Sequence, residues 1–269
     1  MADFARTAKS GRDWTCFDSE AYHITICNQS PRHFFGYKPN GLPDNLDPNI
    51  LTTQEPNDNL SDATYRLLQY ITLAKTPSDS GQKSVPYDAI REVLHAVGFE
   101  ERGNILRAYF PLPFLIAYDG DRYAEPDLCL THDDLTILLI VEIQDQGSQH
   151  CDTEARAISA AIAAYRYNNA YRDEKGLHQL GSMTIPAITV YRTRPFFYKI
   201  HVTEDLSRDI AAGRYPTKEV IVHRCIVALP PEHPLYEGME CMEFRGEILM
   251  YYEAFRKMAK AYWEKYGLI

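Results

Sequence analysis

The chain has 269 residues, 45% of them hydrophobic and 24% charged, with a net charge of −9 and a pI near 5.5. Such a composition describes a globular chain with a core of its own, long enough for one large domain or two small ones. It excludes a low-complexity chain and a membrane-spanning one, since no apolar run reaches the roughly 20 residues a transmembrane helix needs, and its acid excess disfavours unspecific nucleic-acid binding, which Lys and Arg drive by neutralising phosphates.

The first residues lack an apolar h-region, so no secretory signal is expected. No basic run reads as a nuclear signal, and the six cysteines are scattered without a C-x-x-C pair. Reduced thiols in an intracellular protein, cytoplasmic or nuclear, are therefore expected rather than a zinc site or a disulfide framework.

Residues 1–20 read as polar and loose, and Ala21–Cys27 as a short strand. Lys38 to Asn59 is rich in Pro, Asn and Asp and reads as an arm or linker. Residues 1–59 are thus expected to be an N-terminal extension, with 60–269 forming a single domain. Ser61–Lys75 and Val85–Val97 carry apolar residues at helical spacing, and Gly98 can stop the second helix. The period then changes. Ile105–Phe110, Phe114–Tyr118, Tyr123–Leu130 and Thr136–Gln144 read as strands. Thr153–Tyr171 is an Ala-rich helix with Asp152 as a cap. Ile185–Tyr191 and Phe196–Val202 are further strands, Thr203 caps a short helix through Ala212, Glu219–Leu229 is another strand, and Glu243–Tyr266 is a long closing helix. Helix, strands, helix, strands, with an apolar Thr136–Ile143, predict a mixed α/β sheet flanked by helices.

Within that apolar strand stands Glu142. An ionised carboxylate in a buried run costs several kcal/mol unless it is paired. Asp127, after Glu125-Pro126, lies on the preceding strand, and a short turn makes the two strands antiparallel neighbours. Two carboxylates so placed repel unless a cation lies between them. Magnesium suits such a pair, because it binds through one or two carboxylates and keeps waters for a phosphate substrate. Each residue also has a plainer use. An Asp after Pro commonly accepts backbone amides at a strand end, and Glu142 is equally served by an ion pair with Arg156 or Lys199.

Glu125-Pro126-Asp127, then Glu142-Ile143-Gln144 closing an apolar strand, then an Ala-rich helix, resembles the PD-(D/E)xK nuclease superfamily, the restriction-endonuclease-like fold with an αβββαβ core. More narrowly, His33-Phe34-Phe35, Ile140 to Gln146, Ile158 to Ala164, Ile185 to Val190, Phe197 to Ile200, Gly238-Met239 and Glu253-Ala254-Phe255 resemble a group of uncharacterised proteins from mushroom-forming fungi assigned to that superfamily. The resemblance implies magnesium-dependent phosphodiester hydrolysis, with Asp127 and Glu142 as metal ligands and the Ile143 backbone carbonyl as a third. It places Gln144 where the superfamily has a catalytic lysine that orients the attacking water, and some restriction enzymes of the superfamily use Gln there. The fungal group usually reads Val-Gln-Glu-Asp-Lys at this point. An ungapped match then puts Gln144 and Gln146 on the Glu and Lys positions, with Asp145 between them, and both of those catalytic side chains are gone. Residues 142, 144 and 146 share a strand face, so both registers stand.

Three functions follow: a nuclease; a degenerate nuclease fold that binds without cutting; or a small-molecule enzyme with a tyrosine-lined pocket. Nucleic acid and a small molecule both remain candidate partners, the former opposed by the acidic pI. The oligomeric state is not readable. Weaker site candidates are Glu92, Lys199, Glu154, Arg156, Tyr165 and the pair His150-Cys151.

Overall fold

The computed structural model describes residues 8–75, 84–133, 135–144, 147–228 and 237–269. Strand β6 (Thr136–Ile143) is buried at every position. It has a strand on each side and a helical layer on each face, which is why it tolerates an unbroken apolar sequence. On one side it pairs antiparallel with β5 (Leu128–His132), and β5 pairs antiparallel with β2 (Asn104–Ala108). On the other side β7 (Ser182–Tyr191) runs parallel to β6. A parallel neighbour needs a crossover, and α6 (His150–Glu174) supplies it. The sheet continues antiparallel through β8 (Arg194–Thr203) and β9 (Val220–Ile226), and ends with β1 (Ile24–Asn28) parallel to β9. The seven-stranded order is β1-β9-β8-β7-β6-β5-β2. The protein is therefore α/β with a mixed sheet, and an edge strand comes from within the first 59 residues.

Side chains alternate across the sheet. On one face Tyr198 and Phe196 of β8 meet Glu154 and His150 of α6. On the other, Phe197 meets Tyr252 and Phe255 of α8 (Met242–Tyr266). Helices α2 (Pro31–Phe35), α3 (Asn49–Thr52) and α5 (Ser84–Val97) pack on α8, and α4 (Asp62–Lys75) pairs with α5. Gly98, at φ +86°, ends α5 in the left-handed conformation that glycine adopts without penalty. Thr203 caps α7 (Glu204–Ala211), its side chain accepting from the Leu206 amide.

Helix α6 is buried nearly all round over Thr153–Tyr165, because a second layer covers it. That layer is α1 (Cys16–Ala21), a short 3-10 turn at Gly11–Asp13, and the hairpin of β3 (Leu112–Pro113) and β4 (Tyr123–Ala124). Within the expected loose start, the described residues 8–20 are thus packed in place. Thr15 and Asp18 form a capping box on α1, and buried Trp14 stacks on Tyr22 with a centroid distance of 5.4 Å. Gly11 is pressed against α6, where a Cβ would lie 2.6 Å from Ser159 Oγ and 2.9 Å from Ala124 Cα. The stretch 114–118 does not extend as a strand, since Ala117 and Tyr118 both take positive φ. The expected strand Tyr123–Leu130 is divided at Glu125-Pro126-Asp127 into β4 and β5.

Candidate functional site

Leu128 pairs with Val141, so Asp127, one residue before β5, faces Glu142 near the end of β6. The structure brings together the residues expected to act together. Asp127 Oδ2 accepts from the Ile143 amide at 2.7 Å, and Oδ1 accepts from the Tyr87 hydroxyl at 2.8 Å. Arg12, on the 3-10 turn, stands 3.5 Å from Asp127 Oδ1 and donates to Glu125 at 3.0 Å. Glu142 is buried with its Oε2 3.4 Å from Arg156 Nε on α6. Arg156 Nη2 donates to the Ile143 carbonyl at 3.1 Å.

Burial pushes the Asp127 carboxyl above the usual carboxylate range, against the opposing pull of the Ile143 amide, Tyr87 and the two arginines. Glu142 lies well above its ordinary value, first because it is buried and second because Asp127 is its neighbour. Burial and then the Asp127 carboxylate likewise raise the Tyr87 phenol. The pair is thus costly to ionise and depends on positive charge nearby.

Two carboxylates and a carbonyl are hard oxygen donors of the kind magnesium takes. The present arrangement does not fit that ion. The Ile143 carbonyl accepts from Arg156, Glu142 faces the same guanidinium, and Asp127 faces Arg12. Two arginines already balance two carboxylates, and a metal would have to displace Arg156 from two of the three expected ligands.

Gln144 is held in the turn leading to α6. Its Nε2 donates to the Ser148 carbonyl at 2.9 Å, and its Oε1 lies 3.1 Å from His150 Nδ1. Neither end addresses Asp127. Gln146, on which the second register depends, lies outside the described residues.

From His150 a polar network continues into the sheet. His150 Nε2 is 3.4 Å from Glu154 and 3.3 Å from the Tyr198 hydroxyl. Tyr198 donates to Glu154 at 2.7 Å, and Arg224 Nη1 donates to the same oxygen at 2.5 Å. Thr189, the register partner of Glu142, stands 3.1 Å from the Tyr198 hydroxyl. Burial alone would push Glu154 up, but His150, Tyr198 and Arg224 hold it below the ordinary carboxylate range. The Tyr198 phenol is driven well up, by burial first and then by Glu154.

Arg12, Tyr87, Tyr198 and Arg224 carry no sequence motif that marks them as site residues. They come to the site from remote segments, and only Tyr198, a hydroxyl within an apolar strand, left a local trace. Tyr109 also belongs to the rim. It sits at φ +50°, its ring tilted 43° against that of Tyr87 at a centroid distance of 5.5 Å, and lies under Arg12, whose guanidinium carbon is 5.4 Å from its ring. Bulky residues rarely hold that conformation without constraint from their surroundings. Of the weaker candidates, Arg156, His150 and Glu154 belong to this arrangement, and the others fall elsewhere. Glu92 pairs with Arg66 at 2.9 Å, Lys199 donates to the Phe34 carbonyl at 2.9 Å, and Tyr165 donates to the Leu180 carbonyl at 2.7 Å. A cleft of about 530 Å³ lies between α6, α7 and the loop after β3, with Tyr165, Tyr167 and Arg166 on its wall. Tyr165 is roughly 14 Å along α6 from Arg156, so this cleft is separate from the acid pair.

No protein-family model matches the chain, and no curated protein matches it.

Proposed function

We propose that this chain is a degenerate PD-(D/E)xK-type protein, a nuclease-like scaffold that no longer cuts and serves as a binding or scaffolding module. The order α5-β2-β5-β6-α6-β7, with the separate β3–β4 hairpin inserted after β2 and with β7 parallel to β6, supports the restriction-endonuclease-like assignment. The observation that carries the loss of cutting is Arg156, which engages both Glu142 and the Ile143 carbonyl. A fixed guanidinium there supplies the charge compensation that a metal would otherwise give. Gln144, committed to Ser148 and His150, adds no charge of its own.

A second reading, magnesium-dependent phosphodiester hydrolysis, is favoured by one observation. Burial raises both carboxylates, and Asp127 raises Glu142 further, so the pair still calls for cations. Calorimetry separates the two. Magnesium and manganese are titrated into the protein and into an Asp127→Ala, Glu142→Ala double variant. No heat of binding in either folded protein is the expected result. Binding that disappears in the double variant overturns the non-cutting reading and restores the nuclease one.

A further inference from the structure

We propose that Cys16, Cys151 and Asp152 form a site for a thiophilic divalent cation of the zinc class, clasping the N-terminal segment onto α6. Among the described residues this group of His, Cys, Asp or Glu side chains brings three ligand atoms within 4.8 Å of one another. It is distinct from the acid pair and independent of the function proposed above. Its two halves come from positions 136 residues apart, which is why no spacing motif announces it.

The donor set selects the ion. Two thiolates and one carboxylate suit zinc, whereas magnesium and calcium prefer oxygen alone. The geometry is close to what such an ion needs. Ligand atoms about 2.3 Å from one tetrahedral zinc stand roughly 3.7 Å apart, so the cluster has at most about one ångström to close.

The carboxylate is already aimed. Asp152 Oδ1 accepts from the Cys16 backbone amide at 3.0 Å, which fixes the carboxylate beside both cysteines. Cys151 Sγ lies 3.4 Å from Gln149 Oε1 and 4.0 Å from Asp152 Oδ1. Cys151 and Asp152 stand in the first turn of the 25-residue helix α6, whose amide dipoles favour anionic ligands, while burial and then Cys16 push the Cys151 thiol up to about 11, so that a bound cation displaces its proton to solvent. All three side chains are half-buried, so an ion can enter and a water can complete the coordination. The opposing segment is rigid on both sides of Cys16, held by buried Trp14 and by the Thr15–Asp18 capping box. A preformed pair of rigid halves lowers the ordering cost of binding.

The test is a cobalt titration of the fully reduced full-length protein without oxygen. The expected result is a thiolate-to-cobalt charge-transfer band that saturates at one ion per chain and is abolished by added zinc. The band is lost in Cys16→Ser and in Cys151→Ser, and kept in Cys27→Ser, which alters an exposed thiol elsewhere. Asp152→Asn keeps the band and weakens affinity by about tenfold or more. Circular dichroism in chelator verifies that each variant is folded before titration, and zinc raises the Tm of the parent but not of the two cysteine variants. A folded parent protein with no band overturns the proposal, and so does a band of equal strength in Cys16→Ser and Cys151→Ser.

Discussion

A carboxylate at position 142 is expensive because β6 offers it neither water nor an exposed neighbour. Its raised value fixes the sign of a pH effect. A group whose folded pKa exceeds its unfolded one contributes stability below the unfolded value, and that contribution is lost as pH rises through the folded value. Glu142→Gln removes this loss. The variant is therefore expected to gain stability relative to the parent as pH rises from about 5, measured as unfolding midpoints in urea across pH. A difference that is constant with pH would contradict the raised value. Glu154 behaves with the opposite sign, because its neighbours hold it low: its contribution is present above the unfolded value and lost as pH falls through the folded one. Glu154→Gln leaves Arg224 without its anion and is expected to cost about 3 kcal/mol at neutral pH. Tyr198→Phe removes one donor and leaves the ion pair, so about 1–2 kcal/mol is expected. Equal costs for the two would mean that the hydrogen bond, not the charge pair, holds the network.

Arg245 shows how elements without a strong sequence signal are kept in place. It is buried in α8 and donates from Nε to the Met239 carbonyl at 2.8 Å, and from Nη1 to the Ile50 carbonyl at 2.7 Å and the Thr53 carbonyl at 2.8 Å. One side chain thus fastens α3 and the segment before α8 to the same helix. Arg245→Leu is expected to cost on the order of 2 kcal/mol and to speed amide exchange of α3 selectively, read by hydrogen-exchange mass spectrometry. Unchanged protection of Ile50 to Thr53 would show that burial of Ile50 alone holds α3. The same contact explains what the sequence could not reveal. Lys38–Asn59 reads as an arm because α3 is only four residues long and has no period, and its anchor lies 195 positions away. The long periodic pieces α4, α5 and α8, the apolar β6 and the Thr203 cap were legible, because each is specified by its own residues. At the site, Asp127 and Glu142 were legible for the same reason, since a turn brings them together. Arg156 was legible as a partner of Glu142, but its hold on the Ile143 carbonyl was not. Nor was Arg12, whose reach to Asp127 depends on how the start of the chain folds over α6. The break at Glu125-Pro126-Asp127 was obscured by the alternation running through it, although Pro126 marks the place.

At the scale of the molecule, the start of the chain belongs to the core that the sheet organises. Trp14 and Tyr22 are buried in the same continuous apolar cluster as Trp263 and Leu268. The two tryptophans report on opposite layers: Trp14 packs edge-on against Phe114 on the α6 side, and Trp263, in α8, donates to the Leu138 carbonyl at 2.7 Å. A chain of this length can unfold in stages, and a separately stable extension over residues 1–59 would do so. The observed packing argues otherwise. β1 closes an edge of the sheet beside β9, Gly11 is wedged against Ser159, and neither contact survives without the sheet or α6. Unfolding is therefore expected to be concerted across both layers. Each tryptophan is replaced in turn by Phe, so that the other is the sole tryptophan reporter, and urea transitions are followed by selectively excited tryptophan fluorescence and by far-ultraviolet circular dichroism. Coincident fluorescence and dichroism curves within each variant are expected. An earlier transition reported by Trp14 alone would show that the N-terminal layer opens as its own unit, leaving Arg12 to come and go over Asp127 while the sheet stays folded.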